Sequence, residues 1–283
     1  MHGFPDDKHL CGHATLPTDM PGDDRAILGD EGNPSRRGLW RKASPSPPAL
    51  AGAVRLEIGD LPERCVAAAG AWMDAPVADT EPMRWTFESA AAQAAVAAFD
   101  RVTVAPGLRP VGVHNSDGCN GTGTMFGWPA SDPLPDRPVR PRRDKNLAPP
   151  GATPLEQTLV CDRSPAGWLQ LAVALTHLRE FGSRWHGGRF TKHRLLDGDP
   201  DVAGTPGWAQ WQVSDPDWRW LLRPAAFEPV VGTAPSGATA ARFLSWCNYI
   251  LDAGIWRYEW TCDGSEITWC RVQLARTSSI YMV

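Results

Sequence analysis

Two stretches of this chain carry the residue types from which chemistry could be built. The first is His114-Asn115-Ser116-Asp117-Gly118-Cys119-Asn120-Gly121-Thr122-Gly123-Thr124, which offers an imidazole, a carboxylate and a thiol within six positions. A histidine leaving a strand can hold its ring steady while Gly118, Gly121 and Gly123 bend backbone donors around an anion. Cys119 as a nucleophile with His114 as its base is one reaction such a loop could run, with Asp117 beside them. The loop lacks the Gly-Lys-Ser/Thr ending of a nucleotide-phosphate cradle, and it is not a dinucleotide fingerprint. A structural turn rich in Asn and Asp has the same composition.

The second stretch, residues 184–194, reads Arg184-Trp185-His186-Gly187-Gly188-Arg189-Phe190-Thr191-Lys192-His193-Arg194 and contains four Arg or Lys and no acid. Arg184, Arg189, Lys192 and Arg194 can engage phosphates, and Trp185 and Phe190 offer flat faces for bases. The Gly187-Gly188 pair lets a bulky ligand approach the backbone. His186 and His193 could transfer protons or simply donate hydrogen bonds. A further basic run, with Arg137, Arg140, Arg142, Arg143 and Lys145 against the single acid Asp144, is stiffened by proline and could lie along a phosphate backbone. Residues 36–42 are also basic. Opposing these runs, residues 197–217 hold five acids and no Lys or Arg. Those acids could neutralise the basic stretch within the chain, leaving Trp185 and Phe190 to finish a core.

The formal net charge of −4 argues against wholesale coating by nucleic acid and makes local charge the informative quantity. Fourteen tryptophans serve cores, contact surfaces and ligand platforms alike, so their number separates none of these. The seven cysteines, at 11, 65, 119, 161, 247, 262 and 270, include no Cys-x-x-Cys pair. With an odd count and no recognisable secretory leader, they point to buried thiols in a reducing compartment, the cytoplasm. No apolar run approaches the roughly 20 residues that span a bilayer, so no membrane partner is expected. His9, Cys11 and His13 lack the fourth ligand that structural zinc takes, and no metal site is assigned. Nothing in the chain names a cofactor.

The elements that must position these residues follow from spacing. Residues 1–52 are rich in Gly, Pro and Asp and read as an extended arm that cannot build its own core. Residues 53–283 read as a globular body, which the proline-rich stretch 128–154 could divide. Val54, Leu56 and Ile58 alternate as a strand, residues 61–72 suit a short helix, and Thr86 could cap an Ala-rich helix to Phe99. Short strands are expected at residues 101–105, 110–114 and 157–161. The clearest helix lies between Ser164 and Phe181: Ser164 is an N-cap, Pro165 follows it, and Trp168, Leu171, Leu175 and Leu178 form a stripe. Trp218, Trp220 and Leu222 alternate as a strand. A second helix is expected over residues 239–253, burying Phe243, Leu244, Cys247, Ile250 and Leu251. The chain closes with a hairpin whose two-residue turn at Asp263-Gly264 would set Trp260 opposite Ile267 and align Trp256, Tyr258 and Trp260 on one face.

The expected fold is therefore α+β, with mixed helices, short and mainly antiparallel strands and a C-terminal β-hairpin. Three functions compete. The first is nucleic-acid binding, RNA or DNA, through the cations and aromatics of residues 137–145 and 184–194, as a subunit of a larger bacterial assembly. The second is a hydrolase or transferase that joins His114, Asp117 and Cys119 to His186 or His193. The third is a structural subunit that meets protein partners through its arm or an aromatic surface. Binding ranks first because it needs only a surface, whereas catalysis needs convergence.

Overall fold

Strand dominates the fold, at 42% against 24% helix. The computed structural model describes residues 47–73, 86–116, 121–134, 148–179, 181, 193–196, 198–199, 218–247, 254–264 and 266–277. In order these form β1 (Ala51–Arg55), α1 (Leu61–Met73), β2 (Thr86–Glu88), α2 (Ala90–Ala97), β3 (Val102–Val104), β4 (Leu108–Ser116), β5 (Gly121–Pro129), α3 (Leu155–Thr158), β6 (Leu159–Cys161), α4 (Pro165–Leu178), β7 (His193–Leu195), β8 (Trp218–Trp220), β9 (Val230–Thr233), β10 (Thr239–Cys247), β11 (Gly254–Asp263) and β12 (Glu266–Thr277).

A seven-stranded antiparallel sheet, ordered β1-β9-β10-β11-β12-β8, curls into a half-barrel. One edge of β10 is shared: β9 takes Thr239 to Arg242, and β7 takes Ser245 to Cys247. A three-stranded sheet, β2-β4-β5, and a two-stranded pair, β3-β6, complete the strands.

The α+β expectation is thus overturned, and residues 239–247 show why. They form β10, not a helix, and Ala241 to Trp246 are all buried. A strand covered on both faces is apolar at nearly every position, so helical spacing can be read into it by accident. Even Arg242 is enclosed; it pairs with Glu259 opposite and donates from Nη1 to the Pro48 carbonyl at 2.7 Å. Thr86 enters β2 instead of capping a helix, and the next helix starts after Ser89. Gly121 to Thr124, expected in the glycine-rich loop, instead begin the strand β5.

The helix expected after Ser164 is present as α4. Ser164 Oγ accepts from the Gly167 N–H at 3.0 Å, with Pro165 in the first turn. Its stripe understates its burial, for ten of its fourteen residues are buried. Such a helix lies at a core centre, not on a surface. It packs on β9 and β10 of the large sheet and on α1, β3 and β6. Its buried polar groups are bonded: Gln170 accepts from the Arg101 N–H at 3.0 Å and donates to Asp100 at 2.7 Å. Thr176 donates to the Ala172 carbonyl at 2.9 Å and accepts from Trp260 Nε1 at 3.0 Å.

The C-terminal hairpin forms with its register moved by two residues. Asp263 pairs with Glu266, Cys262 with Ile267 and Trp260 with Trp269. A two-residue shift keeps every side chain on its face, so the aromatic stripe survives. Phe243 stacks on Tyr258 (5.4 Å), Tyr258 on Trp269 (6.1 Å) and Trp269 on Trp260 (5.6 Å).

Two glycines of the small sheet are required by close approach. Gly112 on β4 lies under the Phe181 ring, and Gly123 on β5 lies against the Phe181 carbonyl and His114. A methyl group at Gly112 would overlap that ring. Gly112→Ala is expected to cost about 1 to 3 kcal/mol through overpacking. Urea unfolding of Gly112→Ala, Phe181→Ala and the double variant checks it: the double variant should be more stable than the sum of the singles, and strict additivity would refute the contact.

Candidate functional site

The small sheet carries the described residues that flank the stretches singled out from the sequence. Ser116 and Gly121 are the last pair of the β4-β5 ladder, and Asp117 and Cys119 fall between them in the sequence. His114 lies two pairs back, opposite Gly123, and is 2% exposed. The Phe181 ring meets the His114 ring edge-on at 6.5 Å and 78°. The next described residues after Phe181 are those of β7, whose His193 pairs along the backbone with Cys247 of β10. The described residues that flank the basic run 137–145 lie on the other face of the same sheet. There Leu134 before it and Ala148 after it pack against the cluster of Val111, Val113 and Phe126.

Asp117, Cys119, Arg137, Arg140, Arg142, Arg143, Lys145, Arg184, Trp185, His186, Arg189, Phe190 and Lys192 lie outside the described residues, as do His9, Cys11 and His13. Arg194 is described. It is half-buried, and burial pulls its guanidinium down to about 10, opposed by the nearby Cys65 thiol of α1. Arg194 therefore faces the body at α1.

The cations of the described body are largely engaged within it. Arg64 bridges Asp60 and Asp100 at 2.8 and 2.9 Å, Arg101 pairs with Asp162 at 2.8 Å, and Arg223 pairs with Asp199 while lying over Trp220. Arg271 lies over Trp256 at 4.4 Å. Arg179, at the end of α4, pairs with Glu156 and stacks over both Trp260 and Trp269, at 5.0 and 4.7 Å.

Burial holds the described thiols protonated. It pushes Cys270 up to about 11, and it raises Cys65, Cys161 and Cys262. A nucleophilic cysteine needs the opposite shift. Among the described residues no group of three His, Cys, Asp or Glu side chains is placed to hold a metal ion, and no helix is long and apolar enough to cross a membrane.

Sequence reasoning passed over Arg163. It stands between β6 and the Ser164 cap at φ 64°, the one non-glycine residue in the left-handed region among those described. Its exposed guanidinium has no carboxylate partner among the described residues, since the adjacent Asp162 is bonded to Arg101 and to Ser164. Its positive charge opposes the upward push that burial gives the Cys161 and Cys262 thiols. No spacing rule signals a left-handed arginine. Arg163→Gly should stabilise the fold by about 0.5 to 1 kcal/mol, because glycine adopts this φ without strain. Chemical denaturation of the variant measures this, and a loss of stability would mean the arginine makes compensating contacts.

Compared with protein-family models, curated proteins and solved structures, the chain matches none.

Proposed function

We propose that the chain binds nucleic acid through its two basic, aromatic-bearing segments, residues 137–145 and 184–192. The observation that carries this reading is that the described residues nearest the two segments in sequence, Leu134, Ala148 and Phe181, all pack on the β2-β4-β5 sheet. Arg184, Arg189 and Lys192 are assigned to phosphates, and Trp185 and Phe190 to base stacking.

Titration of fluorescent oligonucleotides against salt tests the reading. For a single strand, each phosphate contact adds about 0.7 to the slope of log affinity against log salt. Arg184→Ala/Arg189→Ala should therefore flatten the slope by about 1.4 and weaken binding at low salt. Binding that ignores salt, or a double variant indistinguishable from the parent, would refute it.

The junction of His114 with Phe181 favours a second reading, a hydrolase or transferase using His114, Asp117 and Cys119 with His186 or His193. Here His114 of β4 meets Phe181, which lies five positions before His186 in the sequence. His114 itself is shielded, so such chemistry would need Phe181 to move. Oligonucleotide cleavage in the same assay, lost in His186→Ala, is its signature.

A further inference from the structure

Across one end of the large sheet the register sets five positions in one row. His193 of β7 is opposite Cys247 of β10, Cys247 opposite Gly254 of β11, Gly254 opposite Arg276 of β12, and Arg276 opposite Arg219 of the edge strand β8. The last pair sets cation against cation. Directly opposed residues of an antiparallel ladder have Cβ atoms about 4.5 to 5.5 Å apart, and like charges placed so repel. The strand β8 is held by other means. Trp220 packs on the cluster that contains Leu244, Trp246, Ile255 and Ala275, and the Leu221 and Leu222 N–H groups donate to the Leu274 carbonyl at 2.8 and 3.0 Å. Arg219 and Arg276, one position along from the Trp220 and Ala275 pair, alternate to the other face. Arg219 is exposed, and no carboxylate pairs with it among the described residues. The described acids on either side of it in the chain are engaged elsewhere, Asp199 with Arg223 and Glu228 with Arg55. A charge on an edge strand guards it against pairing with other chains, but that role asks for no second cation opposite the first.

We infer that Arg219 and Arg276 form an anion site that takes a phosphate group between them. A guanidinium matches a phosphate with two parallel hydrogen bonds, and an oxyanion shared by two of them turns their mutual repulsion into attraction on both sides. The register row indicates where that phosphate comes from. His193 belongs to the basic stretch 184–194, and it stands four strand spacings from Arg219, about 19 Å along the sheet. A nucleic-acid strand that meets this stretch therefore has the arginine pair within reach of a further backbone phosphate. Assigning the phosphate to a nucleic-acid backbone rests on the reading above; the anion site itself rests on the opposed arginines. A free phosphate presents the same group, and the experiment separates the two sources.

The test is thermal unfolding of the full chain at low ionic strength, with and without millimolar inorganic phosphate, joined to the salt titration of a fluorescent oligonucleotide. Without phosphate, Arg219→Gln should raise the melting temperature, because it relieves the repulsion across the ladder. With phosphate the parent should be stabilised, and the variant should bind phosphate about tenfold more weakly, as expected for loss of one charged hydrogen-bonded contact. Arg276→Gln should behave in the same way. Arg55→Gln, which removes a cation from the opposite edge of the sheet, should leave the phosphate response unchanged. A carboxylate of the chain that already bridged the pair would make Arg219→Gln lower the melting temperature without phosphate, and that result overturns the inference. Equal stabilisation of parent and variant by phosphate overturns it too. In the oligonucleotide arm, Arg219→Gln should flatten the salt slope for a single strand by about 0.7. An unchanged slope, with the phosphate response lost in the variant, would keep the anion site and remove its assignment to a nucleic-acid backbone. A parent that binds no oligonucleotide would refute the nucleic-acid reading, and the phosphate arm would then decide this site by itself.

Discussion

Trp260→Ala is expected to remove about 3 to 5 kcal/mol of stability, the scale for deleting a large buried aromatic ring. The loss has three sources. The indole is 4% exposed, so its truncation opens a cavity between α4 and the large sheet. Its Nε1 donates to Thr176 Oγ1 at 3.0 Å, a bond that ties β11 to α4. Its face carries the stack with Trp269 on one side of the ladder and the Arg179 guanidinium. Against a typical domain stability of about 5 to 15 kcal/mol, this brings the chain close to unfolding at ambient temperature. Trp260→Phe separates the terms, because it keeps a stacking ring and loses the N–H. It should cost only about 1 to 2 kcal/mol for the bond and the smaller ring. Guanidinium unfolding of both variants reads the difference, and equal costs would show that the hydrogen bond, not packing, dominates.

Arg179→Ala should be comparably damaging, at about 3 to 5 kcal/mol, for an electrostatic reason. Arg179 and Glu156 are 14% and 15% exposed, so their ion pair is largely removed from water. Deleting the cation leaves a carboxylate buried with its partner gone, and it strips a stacked group from two indole faces at once. The second change in the design is Glu156→Leu. Replacing both partners by apolar groups removes the stranded charge, and Arg179→Met/Glu156→Leu should recover most of the stability lost by Arg179→Ala. A double variant as unstable as the single would mean that the pair is needed for its geometry and not merely for charge balance.

These residues differ in how far they could be read ahead. The α4 helix was legible because its signals are local: Ser164 as a cap, Pro165 behind it, and leucines at helical spacing. The aromatic stripe of the hairpin was legible for the same reason, and an error of two residues in register could not erase it. Residues 239–247 were misread because burial on both faces removes the alternation that marks a strand. The strand β5 was hidden by its glycines, whose reason lies in distant partners: Gly123 against His114 and Phe181, Gly127 against Thr158. No window along the chain contains those neighbours.

The same division runs through the candidate sites. Composition marked residues 137–145 and 184–194 as dense in cations and rings, and marked His114 with Asp117 and Cys119 as a cluster of reactive types. It could not say that Phe181 would cover His114, or that Arg179 would be spent between Glu156 and two tryptophans. By itself the sequence determined caps, turns, apolar faces and the inventory of charge, because each depends on neighbours within a few residues. Only the tertiary structure decided which faces are buried and which charges are paired, because those join residues distant in the chain, such as Arg242 with Glu259, 17 positions away, and with Pro48, 194 away.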